Sequence, residues 1–239
     1  MDPMKRLILL VVFVLATVSA KSQGVFNIVR ENPVYKPSFG GHIGTSGLGL
    51  DVFHPLGNRF GAQLGVTLMP FHTKIIGYYG DHETKSRAKA RMHNAHLLFG
   101  WLPFYGARTG IRRLTINVGT GYFFHAEGTG YTTLANDYYY GEIEVLPRDV
   151  GTLYTTVNWA KAFAPYAGLS MGDISIDERF GFNFAVGAYM LSQPRVDMHG
   201  TNLLTENEHN EPIVERNIRN YRYLPNIQVG LTYRFQPGY

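Results

Sequence analysis

Between Tyr221 and Phe235 the chain alternates with a period of two. Tyr221, Tyr223, Pro225, Ile227, Val229, Leu231, Tyr233 and Phe235 hold the odd positions. Arg222, Asn226, Gln228, Gly230, Thr232 and Arg234 hold the even ones, where Leu224 is the one apolar residue. Successive side chains of a strand point to opposite faces, so this pattern predicts a β-strand and excludes a helix. Its fifteen residues are two to three times the usual strand length of about 5–6 in soluble domains.

The same split recurs upstream. Phe60, Ala62, Leu64, Val66 and Leu68 oppose Arg59, Gly61, Gln63, Gly65 and Thr67. Leu114, Ile116, Val118, Thr120, Tyr122 and Phe124 oppose Thr115, Asn117, Gly119, Gly121, Phe123 and His125. Phe180, Phe182, Phe184, Val186, Ala188 and Met190 oppose Gly181, Asn183, Ala185, Gly187 and Tyr189. Leu153–Met171 reads as one long strand, and Gly47–Phe53 and Ala95–Leu102 follow the pattern less cleanly. An amphipathic strand in a water-soluble sandwich also alternates, so the minor face decides. Here it is glycine, asparagine, threonine and glutamine with single charges, while the other face is bulky and apolar. A barrel in lipid explains both, with apolar side chains outside and small polar ones filling a narrow interior. Closure also leaves no unpaired strand edge in the bilayer.

Connections alternate in length. His54–Asn58, Pro103–Arg112 and Gly172–Arg179 are short to moderate. Thr73–Lys85, Gly130–Val150 and Gln193–Asn220 are long and polar. Outer-membrane barrels have short periplasmic turns and longer outer loops, which assigns the long segments to the exterior. Seven strands are clear and closure in this class uses an even number. The eighth is expected at Gly24–Arg30; ten strands result if Gly151–Met171 is divided. The fold expected is therefore an all-β, transmembrane, antiparallel up-and-down β-barrel of eight strands, with ten as the alternative. Aromatic residues gather at strand ends, Trp101, Phe104, Tyr105, Tyr233 and Phe235 at one and Tyr78, Tyr79, Tyr122, Phe124 and Tyr221 at the other, as interfacial girdles require.

The first twenty residues differ from the rest. Lys5 and Arg6 precede the apolar stretch Leu7–Val18, and Val18-Ser19-Ala20 offers small residues at a cleavage site, the pattern of a secretory signal peptide. Residues 21–239 are then a single barrel domain carrying 20 basic and 17 acidic residues, too balanced a charge for nucleic acid. The absence of cysteine excludes disulfides, a thiol nucleophile and a lipidated cysteine.

These features resemble the small outer-membrane β-barrel proteins of Gram-negative bacteria, the outer membrane protein beta-barrel domain family of the OmpA/OmpW-like barrel type. Gly44–Leu50, Ala164–Leu169 and Leu224–Phe235 carry the resemblance. It implies location in the cell outer membrane, contact with outer-membrane lipid and lipopolysaccharide, and delivery by the barrel assembly machinery. Tyr233 and Phe235 look like the C-terminal assembly signal of such proteins, which is usually the last residue; here Gln236–Tyr239 follow. A monomer is expected.

Candidate chemistry is sparse. The nine histidines form no His-x-Ser pair, and His93 and His96 point to opposite strand faces. His125 and Glu127, with Asn117 below, form at most a fragment of a hydrolase site. No metal, cofactor or catalytic residue is expected. Glu206, Glu208, Glu211 and Glu215 make an acidic segment that reads as a solvated loop or a ligand surface, and Tyr138–Tyr140 reads as a sugar platform or an interfacial anchor. Asp51 and Arg59 flank the Gly57-Asn58 turn on the inner face, and Arg234 enters the same end. A buried charge needs a partner, so Asp51 is expected to neutralise Arg59, with Arg234 as a second partner. The function expected is a non-enzymatic barrel, structural or adhesive or a narrow conduit for small or hydrophobic molecules. The alternatives weighed are a lipid-modifying enzyme and a soluble secreted binding barrel.

Overall fold

The computed structural model describes residues 36–79, 82–107, 110–140, 142–160, 162–175 and 179–235. The chain divides into two units, Met1–Asn32 and Pro33–Tyr239, and every described residue belongs to the second. The signal segment, the strand expected at Gly24–Arg30 and the tail Gln236–Tyr239 lie outside the described residues.

The strands are β1 (Ser38–Gly44), β2 (Gly47–Pro55), β3 (Phe60–Leu68), β4 (Pro70–Tyr79), β5 (His82–Trp101), β6 (Leu114–Leu134), β7 (Tyr138–Tyr140), β8 (Ile143–Val145), β9 (Thr152–Asn158), β10 (Phe163–Ser175), β11 (Phe180–Met190), β12 (Arg195–Gly200) and β13 (Tyr223–Arg234). Two α-helices, α1 (Pro147–Val150) and α2 (Glu211–Ile218), lie among the later connections. Eight strands pair antiparallel in a closed ring, in the order β1, β2, β3, β5, β6, β10, β11, β13 and back to β1. The closing ladder runs from Ser38 opposite Arg234 to Gly44 opposite Gln228. The first ring strand is thus Ser38–Gly44, which supplies the member expected at Gly24–Arg30. Two residues join it to β2, and Gly47 takes φ 119°, a backbone region that a side chain would resist.

The faces follow the sequence pattern. Ile227, Val229 and Leu231 of β13, Phe182, Phe184 and Val186 of β11, and Leu64, Val66 and Leu68 of β3 are exposed on the outside of the ring. Asn226, Gln228 and Arg234 of β13 are buried inside it. Short connections at 56–59, 102–113 and 176–179 share one end, and the long ones share the other.

β5 and β6 are 20 and 21 residues long, about twice what a tilted transmembrane strand needs. Their upper halves leave the ring as the middle of an outer sheet, β4-β5-β6-β9-β12. A bulge in β6 marks the exit: His93 pairs with His125 but Asn94 pairs with Phe123, so Phe124 is the extra residue. Below the bulge the odd residues of β6 face the lumen, and above it they face out. The bulge also explains why Leu153–Met171 is two strands and not one. β9 holds the upper half of β6 as far as Asn158 opposite Glu127, and β10 takes over at Phe163 opposite Tyr122. The division adds no ring member, because β9 stays in the outer sheet.

The exterior segments are correspondingly structured. Thr73–Lys85 is the tip of the β4–β5 hairpin, and Tyr138–Tyr140 is half of the small β7–β8 hairpin, where exposed Tyr139 donates to Glu144 at 2.7 Å. The acidic segment protects a sheet edge. Glu215, Glu211 and Glu208 accept from the backbone N–H groups of Val196, Met198 and Gly200, at 3.3, 3.4 and 3.2 Å. These are alternate donors along β12, the edge strand of the outer sheet opposite β4, and a capped edge cannot recruit another chain.

Candidate functional site

The lumen is filled from its walls. Inward-facing Phe123, Tyr166 and Tyr189 are 0–4% exposed. The Tyr166 and Tyr189 rings lie 4.6 Å apart, and Phe123 meets Tyr189 edge-on at 5.4 Å. Met92, Leu98, Ala164 and Leu191 complete this apolar obstruction.

Beside it stands a charged cluster drawn from three strands. β1 supplies His42, β2 supplies Asp51 and β5 supplies His96. The Asp51 carboxylate accepts from His42 Nδ1 at 2.5 Å and from His96 Nε2 at 2.9 Å. The other His42 nitrogen, Nε2, stands 3.2 Å from the Thr67 hydroxyl, and His96 Nδ1 stands 3.3 Å from the Asn94 side-chain oxygen. Both imidazoles are buried, and the Asp51 side chain is 13% exposed. Two N–H donors satisfy the carboxylate in a place where an unpaired charge would be strongly destabilising. The space comes from glycine. A Cβ at Gly65 would collide with the Asp51 carboxylate and stand 2.6 Å from His96 Nε2, and one at Gly49 would strike the His42 ring.

Toward the short turns the lumen opens into a cavity of about 110 Å³, lined by Asp51, Asn117, Ser170, Gln228 and Arg234 among others. Asn117 donates to Ser170 Oγ at 2.7 Å. The cavity has room for several waters but not for a drug-sized ligand.

The structure separates the expected charge cluster. Asp51 is on the lumen face and Arg234 lines the same cavity, but Arg59 is exposed beyond the turn, its guanidinium 5.9 Å from the Tyr105 ring. The histidines take the place assigned to Arg59, because they project from neighbouring strands at the height of Asp51. The signal for His42 is the alternation Ser38, Gly40, His42, Gly44, which the short strand β1 makes easy to miss; the signal for His96 is its parity with Leu98 and Asn94. The His125–Glu127 fragment parts from Asn117 because of the bulge. His125 packs against His93 at 5.6 Å, Glu127 lies 3.8 Å from Arg91, and Asn117 stays in the lumen. Among the described residues no group of three or more acidic, histidine or cysteine side chains is placed to hold a metal. Tyr233 and Phe235 pack edge-on at 5.7 Å, and Phe235 N–H donates to the Pro37 carbonyl at 2.9 Å, one residue beyond the Ser38–Arg234 pair.

No protein-family model matches the chain, and no curated protein matches its sequence. Its fold is similar to two crystal structures of an outer-membrane β-barrel protein of Acinetobacter baumannii. CarO2 superposes with a TM-score of 0.62 at 16% identity, over 84% of this chain and 98% of that one. CarO superposes with a TM-score of 0.60 at 16% identity, over 86% and 100%.

Proposed function

We propose that the chain is an eight-stranded transmembrane barrel of a Gram-negative outer membrane, of the OmpA/OmpW-like type, exported through a cleaved signal peptide and assembled by the barrel machinery on a signal that includes Tyr233 and Phe235. One observation carries the reading: the ring is inverted relative to a soluble protein. Its outward face is a continuous band of exposed Leu, Val, Ile and Phe, while Asn94, Asn117, Asn226, Gln228 and Arg234 are buried inside. In water such a band would aggregate; in lipid it is the expected surface.

The filled lumen supports a non-enzymatic role, structural or adhesive, over a diffusion pore. The hydroxyl beside His42 belongs to Thr67, which is 2% exposed and out of reach of a lipid substrate. A second reading, a narrow conduit, is favoured by the polar cavity at the turn end, and it requires the aromatic obstruction to move.

Conductance tests both. The refolded protein in a planar bilayer should pass little current, and Tyr166→Ala with Tyr189→Ala should raise it. A large steady conductance of the parent protein would contradict the plugged barrel. Unchanged conductance of the double variant would contradict the place assigned to the plug.

A further inference from the structure

The outer sheet carries one strongly basic face. On β5 the residues Lys85, Arg87, Lys89 and Arg91 stand on alternate positions, and all are exposed. Alternate residues of a strand are about 6.8 Å apart on one face, so the four make a cationic column. β4 adds Lys74, opposite Arg87. From β6, Tyr131 lies opposite Arg87, and Tyr154 of β9 lies opposite Tyr131. The two rings meet edge-on at 5.3 Å, and Lys89 lies 5.7 Å from Tyr131. A groove of about 640 Å³ runs along this face, between the lysines and the tyrosines. The acids on the face are Glu83 at its upper border, where its carboxylate accepts from Asn136 at 2.9 Å, Glu127 at its lower border, beside Arg91, and Asp197 on β12. Among the described residues no carboxylate forms an ion pair with Lys74, Lys85, Arg87 or Lys89.

The height of this column selects its partner. Trp101 marks the turn end of β5, and Arg91 is ten residues further up the strand. At about 3.4 Å per residue and a tilt of about 40°, ten residues climb about 26 Å, which matches the apolar band of about 25 Å. The parity of β5 does not change at the bulge, so the cations continue the outward face of Leu97 and Phe99. They therefore stand on the outside of the wall, beginning where lipid headgroups begin.

From this geometry, and resting on the outer-membrane reading above, we infer that the face formed by Lys74, Lys85, Arg87, Lys89, Tyr131 and Tyr154 binds the phosphorylated sugar headgroup of lipopolysaccharide in the outer leaflet. The cations meet the phosphates and the tyrosine rings meet the apolar faces of the sugars, while the acyl chains lie along the apolar wall below. A headgroup with two or more phosphates matches a row of cations better than a single free anion does.

The test titrates the refolded full-length protein in detergent with diphosphorylated lipid A, phosphatase-treated lipid A and inorganic phosphate. Diphosphorylated lipid A should bind saturably and more weakly as salt is raised. The combined variant Lys85→Gln, Arg87→Gln, Lys89→Gln should lose about tenfold or more in affinity, while Arg148→Gln, a charge change elsewhere on the exterior, should lose none. Phosphatase treatment should have a similar effect to the triple variant, and inorganic phosphate at matched concentration should not compete. Equal binding of the treated and untreated lipid, or unchanged affinity of the triple variant, would overturn the inference. So would competition by inorganic phosphate, which would make the face an anion site and not a lipid site. Fractionation of cells separates this from the parent reading: a protein absent from the outer membrane refutes the barrel assignment, whatever the titration shows.

Discussion

At Gly65 a missing side chain is what admits the charged cluster. Gly65→Val would place methyl groups where the Asp51 carboxylate and His96 ring now sit. The cost expected is about 1–3 kcal/mol, the usual range for forcing extra volume into a packed interior. Asp51→Ala acts in the opposite sense. It leaves His42 Nδ1 and His96 Nε2 buried without their acceptor, at about 1–3 kcal/mol. Urea unfolding in lipid vesicles measures both, and parent-like stability of Asp51→Ala would show that the carboxylate is not the hub of the cluster. Parity alone makes the inward direction of Asp51 legible in the sequence. Its partners are not legible there: His96 comes from β5, 45 residues along the chain, and His42 comes from β1, a short strand whose alternation is easy to miss. Spacing about one turn therefore favours Arg59, whereas the ladders bring His42 and His96.

Among the elements, the edge of β12 shows how an acidic run is put to structural use. The carboxylates of Glu208, Glu211 and Glu215 occupy three backbone donors. Replacing all three by alanine should speed amide hydrogen exchange at Val196, Met198 and Gly200 by about tenfold or more, equivalent to about 1.4 kcal/mol of local protection, and leave the ring strands unchanged. Slow exchange at these amides in the variant would mean that another group covers the edge. The C-terminal strand offers a second test. Phe235 N–H still donates across the closing strand pair, to Pro37, so Phe235→Ala should lower assembly into the outer membrane, and deletion of Gln236–Tyr239 should not; the reverse pair of results would move the signal to the tail. Strand faces were legible because the outer and inner faces of the ring differ in chemistry at every second residue, apolar outside and small or polar inside. The break at Ala160 was not, because it answers to a bulge on β6 and not to any signal of its own.

At the scale of the molecule, the inverted distribution of apolar side chains is the claim on which the rest depends. The apolar ring, the filled lumen and the basic outer face all take their meaning from a bilayer around the strands. Leu231→Arg would put a charge on that ring at a cost of about 2–4 kcal/mol near the midplane, whereas Thr232→Arg would crowd the lumen instead. The chain contains no cysteine, so single-cysteine variants can be labelled without background. The most direct measurement is spin-label accessibility along β13 in lipid vesicles, at Asn226, Ile227, Gln228, Val229, Leu231 and Thr232. Collision with oxygen should be high at Ile227, Val229 and Leu231 and low at Asn226, Gln228 and Thr232, with little access at the first group to a water-soluble nickel reagent. High nickel access at Ile227, Val229 and Leu231, or the loss of the two-residue period, would contradict a lipid-facing ring.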